Sequence, residues 1–95
     1  MSEELKVPEG WTPLIEGEWL EALRRAYPDD ADVIVSIHRR ESGYEVRESV
    51  DNGASGPKKT VAGARESRAA ARELMLKTCR DWDDWMLRRP TIGCN

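Results

Sequence analysis

The sequence predicts an α+β fold of order α-β-β-β-α: a three-stranded antiparallel meander with two helices packed on one face. Three observations predict it. Apolar residues recur at helical spacing between Ile15 and Tyr27. β-branched residues alternate with polar ones between Val33 and Val50. An alanine-rich helical stripe runs from Ala71 to Met86.

Residues 1–11 read as an N-terminal tail. Pro8-Glu9-Gly10 is turn chemistry, with Trp11 placed to pin the tail to the body. The first helix follows. Thr12 is its cap and Pro13 suits a first helical position, where a missing N–H costs nothing. Its stripe is Ile15, Trp19, Ala22, Leu23 and Ala26, widened by Leu20 and Tyr27, and Pro28 stops it. The first strand is Val33 to Arg39, with Val33, Val35 and Ile37 on one face. Glu41-Ser42-Gly43 turns the chain into a second strand, Tyr44 to Val50, and the two form a hairpin. A breaker-rich loop, Asp51 to Lys58, leads to a weaker third strand, Lys59 to Ala64, in which Gly63 marks a bulge or a close backbone approach.

Ser67 caps the second helix, which runs to about Leu87. Ala71, Leu74, Met75, Thr78, Cys79, Trp82, Trp85 and Met86 form a stripe roughly 140° wide. Both helix stripes cover one sheet face. The other face, with Ser36, His38, Glu45, Arg47 and Ser49, is left to water. One domain, residues 12–89, accounts for the pattern, and 90–95 read as a C-terminal tail.

Ninety-five residues bury a thin core, hiding only about 60–65% of the surface of the unfolded chain. Apolar residues make up 39% and charged residues 35%, with four Trp, two Tyr and no Phe. A net charge of −3 argues against a general nucleic-acid binder, which carries a basic excess. No apolar run is long enough to span a bilayer and none resembles a signal peptide, so a reducing cytoplasm is the expected setting. Cys79 and Cys94 are then expected as free thiols.

The catalytic patterns are missing. His38 sits at the end of a strand and Cys79 on a buried helix stripe, with nothing to bring them together. Two Cys and one His without close spacing make no metal site, and no cofactor-cradling glycine motif is present. No enzyme, metal or cofactor is expected.

Two charged sets and the indoles are the candidates for recognition. Asp29, Asp30 and Asp32 follow the first helix, while Asp81, Asp83 and Asp84 lie late in the second. Neither set complements its own helix terminus. Each reads either as solvated surface or as the contact for a basic partner. Trp85, one turn beyond Trp82, is a candidate interface anchor. Lys58, Lys59, Arg65, Arg68 and Arg72 are the alternative, nucleic-acid reading. The element order matches double-stranded-RNA-binding domains, but Glu66 interrupts the arginines.

Tyr44-Glu45-Val46-Arg47, then Val61-Ala62-Gly63-Ala64-Arg65, then Ala69-Ala70-Ala71 opening a long helix, resembles small phage-encoded anti-CRISPR proteins. HicB-type antitoxins share the coarse order, without their usual glycine-cysteine turn here. The anti-CRISPR resemblance covers residues 44–85 and carries over no catalytic residue. It implies a small inhibitor that occupies the surface of a host protein or complex, with the six aspartates as the positions to suspect. The expected function is therefore a non-enzymatic protein-binding module. An antitoxin and a nucleic-acid-binding module are the alternatives. A three-stranded sheet also leaves two edges, which adds a homodimer to the partners to test.

Overall fold

Val33, Ile34, Val35 and Ile37 give the middle of the chain its strongest strand propensity, and the sheet is built around it. The computed structural model describes residues 7–15, 17–27, 31–53 and 56–88. Among these, five strands precede one helix: β1 (Thr12–Pro13), β2 (Glu21–Tyr27), β3 (Ala31–Arg40), β4 (Gly43–Asp51), β5 (Lys58–Arg65) and α1 (Arg68–Arg88). The strands form one antiparallel meander in the order β1-β2-β3-β4-β5, and α1 packs across one face.

The α-β-β-β-α order and the three-stranded sheet with two helices are thus overturned. The predicted first helix is absent. Its span instead supplies β1 and β2, and among the described residues only one helix covers the sheet. Thr12 and Pro13 pair with Arg24 and Leu23 at the sheet edge. An edge is the other place where a proline's missing N–H does no harm. Glu21–Tyr27 carries two periodicities at once. The helical stripe of Leu23 and Ala26 coexists with a two-residue alternation of Glu21, Leu23, Arg25 and Tyr27. Pairing with β3 decides between them. Leu23 lies opposite Val35 and Arg25 opposite Val33, and every second residue along the pair directs its backbone N–H and C=O to β3. Tertiary context overrides the helix preference of Ala, Leu and Arg. Ile15, first member of the supposed stripe, is 96% exposed.

The three later strands and the helix stand close to their predicted bounds. The Ser67 hydroxyl accepts from the Ala70 N–H at 3.1 Å and the Ser67 carbonyl from Ala71 at 3.0 Å, an N-cap at the predicted residue. Leu23, Val33, Val35, Ile37 and Val46 from the sheet meet Ala71, Met75 and Cys79 from α1 in the core. Trp11 joins them, ring edge against Tyr27 at 6.4 Å between centroids, so the N-terminal segment is bound into the body.

Of the two readings of Gly63, the close approach falls on Gly63 itself and the bulge on its neighbour. The ladder between β4 and β5 shifts by one residue there, pairing Val46 with Gly63 and Arg47 with Val61 and leaving Ala62 as the bulge. A Cβ on Gly63 would stand 2.8 Å from a Leu74 methyl of α1. At the β3–β4 turn, Gly43 has φ +146° and a Cβ there would stand 2.5 Å from the Arg65 carbonyl oxygen, so glycine is required.

The far sheet face is not simply left to water. Ser36 and Glu45 are buried there, and Ala22 is 2% exposed. The Glu45 carboxylate is clasped by Arg40 at 2.5 Å and by Arg47, and those guanidiniums hold its pKa below the usual carboxylate range. Trp19, expected in the core, is half-buried in the segment between β1 and β2.

Candidate protein-interaction surface

The flank of α1 that looks toward β5 carries Leu74, Thr78, Trp82 and Trp85, spaced three or four residues apart and so stacked in one row. Gly63 lets the helix approach the sheet at Leu74. Further along, an open hollow of about 480 Å³ lies between α1 and the β4–β5 side of the sheet. Glu48 of β4 and Val61 and Ala62 of β5 line one side, and Leu74, Trp82 and Trp85 line the other. Trp82 is fixed by its indole N–H, which donates to Glu48 Oε1 at 2.6 Å. Trp85 stands edge-on to it, ring centroids 6.2 Å apart, and is 58% exposed. Val61 is 54% exposed. The result is an apolar shoulder with one oriented indole and one presented indole, bordered by the Lys77–Asp81 pair at 2.8 Å.

The predicted acidic positions separate. Asp32 is held by Arg24 through two bonds of 2.8 and 2.6 Å, which lowers its pKa. Asp81 pairs with Lys77 on the surface. Asp83 is structural. It accepts from the Trp11 indole at 3.0 Å, the Tyr27 hydroxyl at 2.6 Å and Arg25 at 3.3 Å, and so ties three parts of the chain together. Asp84 is exposed late on α1. Asp29 and Asp30 lie outside the described residues, as do Pro28, Pro90 and Cys94.

The basic set does not form one patch. Arg68 and Arg72 both bond Glu21 at the start of β2, at 2.7 and 2.8 Å. Lys58 and Lys59 open β5 and Arg65 closes it, about 23 Å away along the strand. Arg65 donates to the neighbouring Ala64 carbonyl at 2.7 Å. Glu21, which gathers Arg68 and Arg72, and Glu48, which fixes Trp82, carried no sequence signal apart from their places in the strands.

His38 and Cys79 lie on opposite sides of the sheet. His38 is next to core-facing Ile37, points to the far face and bonds Ser36 Oγ at 2.8 Å. Burial, then the nearby Arg47 charge, lowers its pKa. Cys79 is fully buried under α1. No group of three or more metal-binding side chains occurs among the described residues, and no helix among them is long and apolar enough to cross a membrane.

Burial pushes the Cys79 thiol from its ordinary 9.0 up to about 12, with the Asp83 charge adding to it. Burial, then the bond to Asp83, pushes the Tyr27 hydroxyl above its ordinary 10.0. Both groups keep their protons when folded and lose them more readily when unfolded. Their stabilisation is therefore complete below pH about 9 and is lost as pH rises toward about 12. Under reducing conditions the urea midpoint should fall between about pH 8 and about pH 10.5, with a shallower fall in Cys79→Ala. A midpoint that does not move would contradict this.

No protein-family model, no curated protein and no solved structure matches this chain.

Proposed function

We propose that this chain is a small non-enzymatic protein-binding module whose partner docks on the shoulder between β5 and α1. The observation that carries the reading is Trp85: an indole 58% exposed, edge-on to a fixed neighbour, at the mouth of an apolar hollow. Large aromatics presented this way anchor interfaces, because they bury much area at small entropic cost. The acids contribute less to this reading, since Asp32, Asp81 and Asp83 already have partners within the chain. The sealed Cys79, across the sheet from His38, supports recognition over nucleophilic chemistry. An inhibitor that occludes a host protein surface is the form of this function that the anti-CRISPR resemblance implies.

The test is site-specific photo-crosslinking. A benzophenone side chain replaces Trp85 in one variant and Ile15, which is 96% exposed, in another. In lysate of the host bacterium, the probe at 85 is expected to capture one protein stoichiometrically and the probe at 15 is not. Equal capture at both positions, or none at 85, would refute the reading.

A further inference from the structure

The two edges of the sheet are unlike. The β1 edge is two residues long and contains Pro13. Among the described residues, the β5 edge is eight residues long, pairs only with β4, and has no buried residue along its length. At about 3.3 Å per residue it offers an edge of roughly 26 Å, along which every second residue turns its N–H and C=O away from β4. It also borders the apolar hollow, since Val61 and Ala62 belong to both.

We propose that β5 is a strand-addition site, which takes an extended acidic segment of the partner as a sixth strand and one of its apolar side chains into the hollow beside Trp85. This rests on the protein-binding reading and gives it a geometry and a ligand chemistry. The charge of the edge selects the ligand. Lys58, Lys59 and Arg65 are three cations with no acid in the same eight residues, on a chain of net charge −3. A second copy is a poor occupant. Laid antiparallel in full register, Lys58 would face Arg65 at both ends, and like charges directly opposite are destabilising. Lysines and a bulge, here at Ala62, are also the devices by which edges avoid self-pairing. An acidic strand reverses the sign of that interaction.

The hollow supplies the second half of the site. An added strand lies about 4.8 Å beyond β5 and raises every second side chain on the α1 side. There Trp85, Trp82 and Leu74 give an apolar side chain a surface to cover. Main-chain bonds then supply affinity and the hollow supplies side-chain choice, as in other strand-addition complexes.

The probe is a fluorescein-labelled synthetic peptide that alternates acidic and apolar residues around a central Trp, read by fluorescence polarisation. Three relatives accompany it: one with lysines for the acids, one with N-methyl groups on every amide so that neither strand phase keeps its donors, and a single-stranded DNA of matched length. The acidic peptide should bind at least about tenfold more tightly than the lysine peptide. N-methylation should cost about tenfold or more, because it removes the ladder bonds. The double substitution Lys58→Glu with Lys59→Glu should invert the charge preference. Both lysines are exposed, so an unchanged thermal midpoint is the control for folding. On binding, the β5 amides should gain protection from hydrogen exchange.

Equal binding of the N-methylated peptide would overturn strand addition. Tighter binding of the DNA would make the edge a nucleic-acid contact instead. Self-association that protects the β5 amides without peptide would make a second copy the occupant. Crosslinking at position 85 that persists while strand addition fails leaves the shoulder reading standing and sinks only this geometry. Loss of that crosslinking sinks both.

Discussion

Asp83→Ala is expected to cost about 3 kcal/mol of stability, far more than the same change at Asp81 two residues earlier. The carboxylate joins the N-terminal segment, β2 and α1 through Trp11, Tyr27, Arg25 and its own helix. Hydrogen bonds to a charged acceptor contribute about 1.5–3 kcal/mol each, but three on one group are not additive. The side chain keeps 21% exposure, which discounts the ionic share. What remains is the cost of leaving a buried indole N–H and a buried phenol without an acceptor. Asp83→Asn retains one acceptor oxygen and should lose about half as much. Asp81→Ala, which removes only a surface pair, should stay within about 0.5 kcal/mol. Urea unfolding measures all three. Hydrogen exchange at residues 8–14 should accelerate first in Asp83→Ala, because Trp11 loses its tether. A loss below about 1 kcal/mol would mean that packing alone holds the segment.

How legible the fold was depends on how many periods each segment could satisfy. Val33 to Arg39 and Tyr44 to Val50 are rich in β-branched and aromatic residues, and they support only the strand period. The span from Arg68 onward is alanine-rich, with a stripe that fits only a helix, and Ser67 announces it. Those elements could be read directly. Glu21–Tyr27 supports both periods, and its pairing with β3 cannot be seen locally. Trp11 could be read as a pin for the N-terminal segment, but its partners Tyr27 and Asp83 were hidden, 16 and 72 residues away. Of the site, Trp85 and Trp82 were legible from helical spacing. Their setting was not. Glu48 reaches Trp82 across 34 residues, and the exposure of Val61 follows from β5 lying at the sheet edge. The aspartates of α1 looked alike because adjacent residues differ only in direction, and direction matters only once a sheet lies beneath the helix.

Leu23→Ala, Ala26→Lys and Ile15→Ser together separate strand from helix at the one element where the sequence is ambiguous. Leu23 is fully buried, opposite Val35 and beneath α1, so truncation removes transfer energy and leaves a cavity costing about 3 kcal/mol. Ala26 is exposed on the other face and Ile15 lies almost wholly in water, so each change there should stay within about 0.5 kcal/mol. In a helix over the same span, all three residues share the core stripe. The lysine at position 26 would then be buried without a partner and would cost several kcal/mol. The denaturation midpoints of these variants therefore diverge for a strand and fall together for a helix. Backbone exchange supplies a second discriminator. In the strand, the amides of 21–27 that bond to β3 are protected in alternation. In a helix they would be protected without interruption.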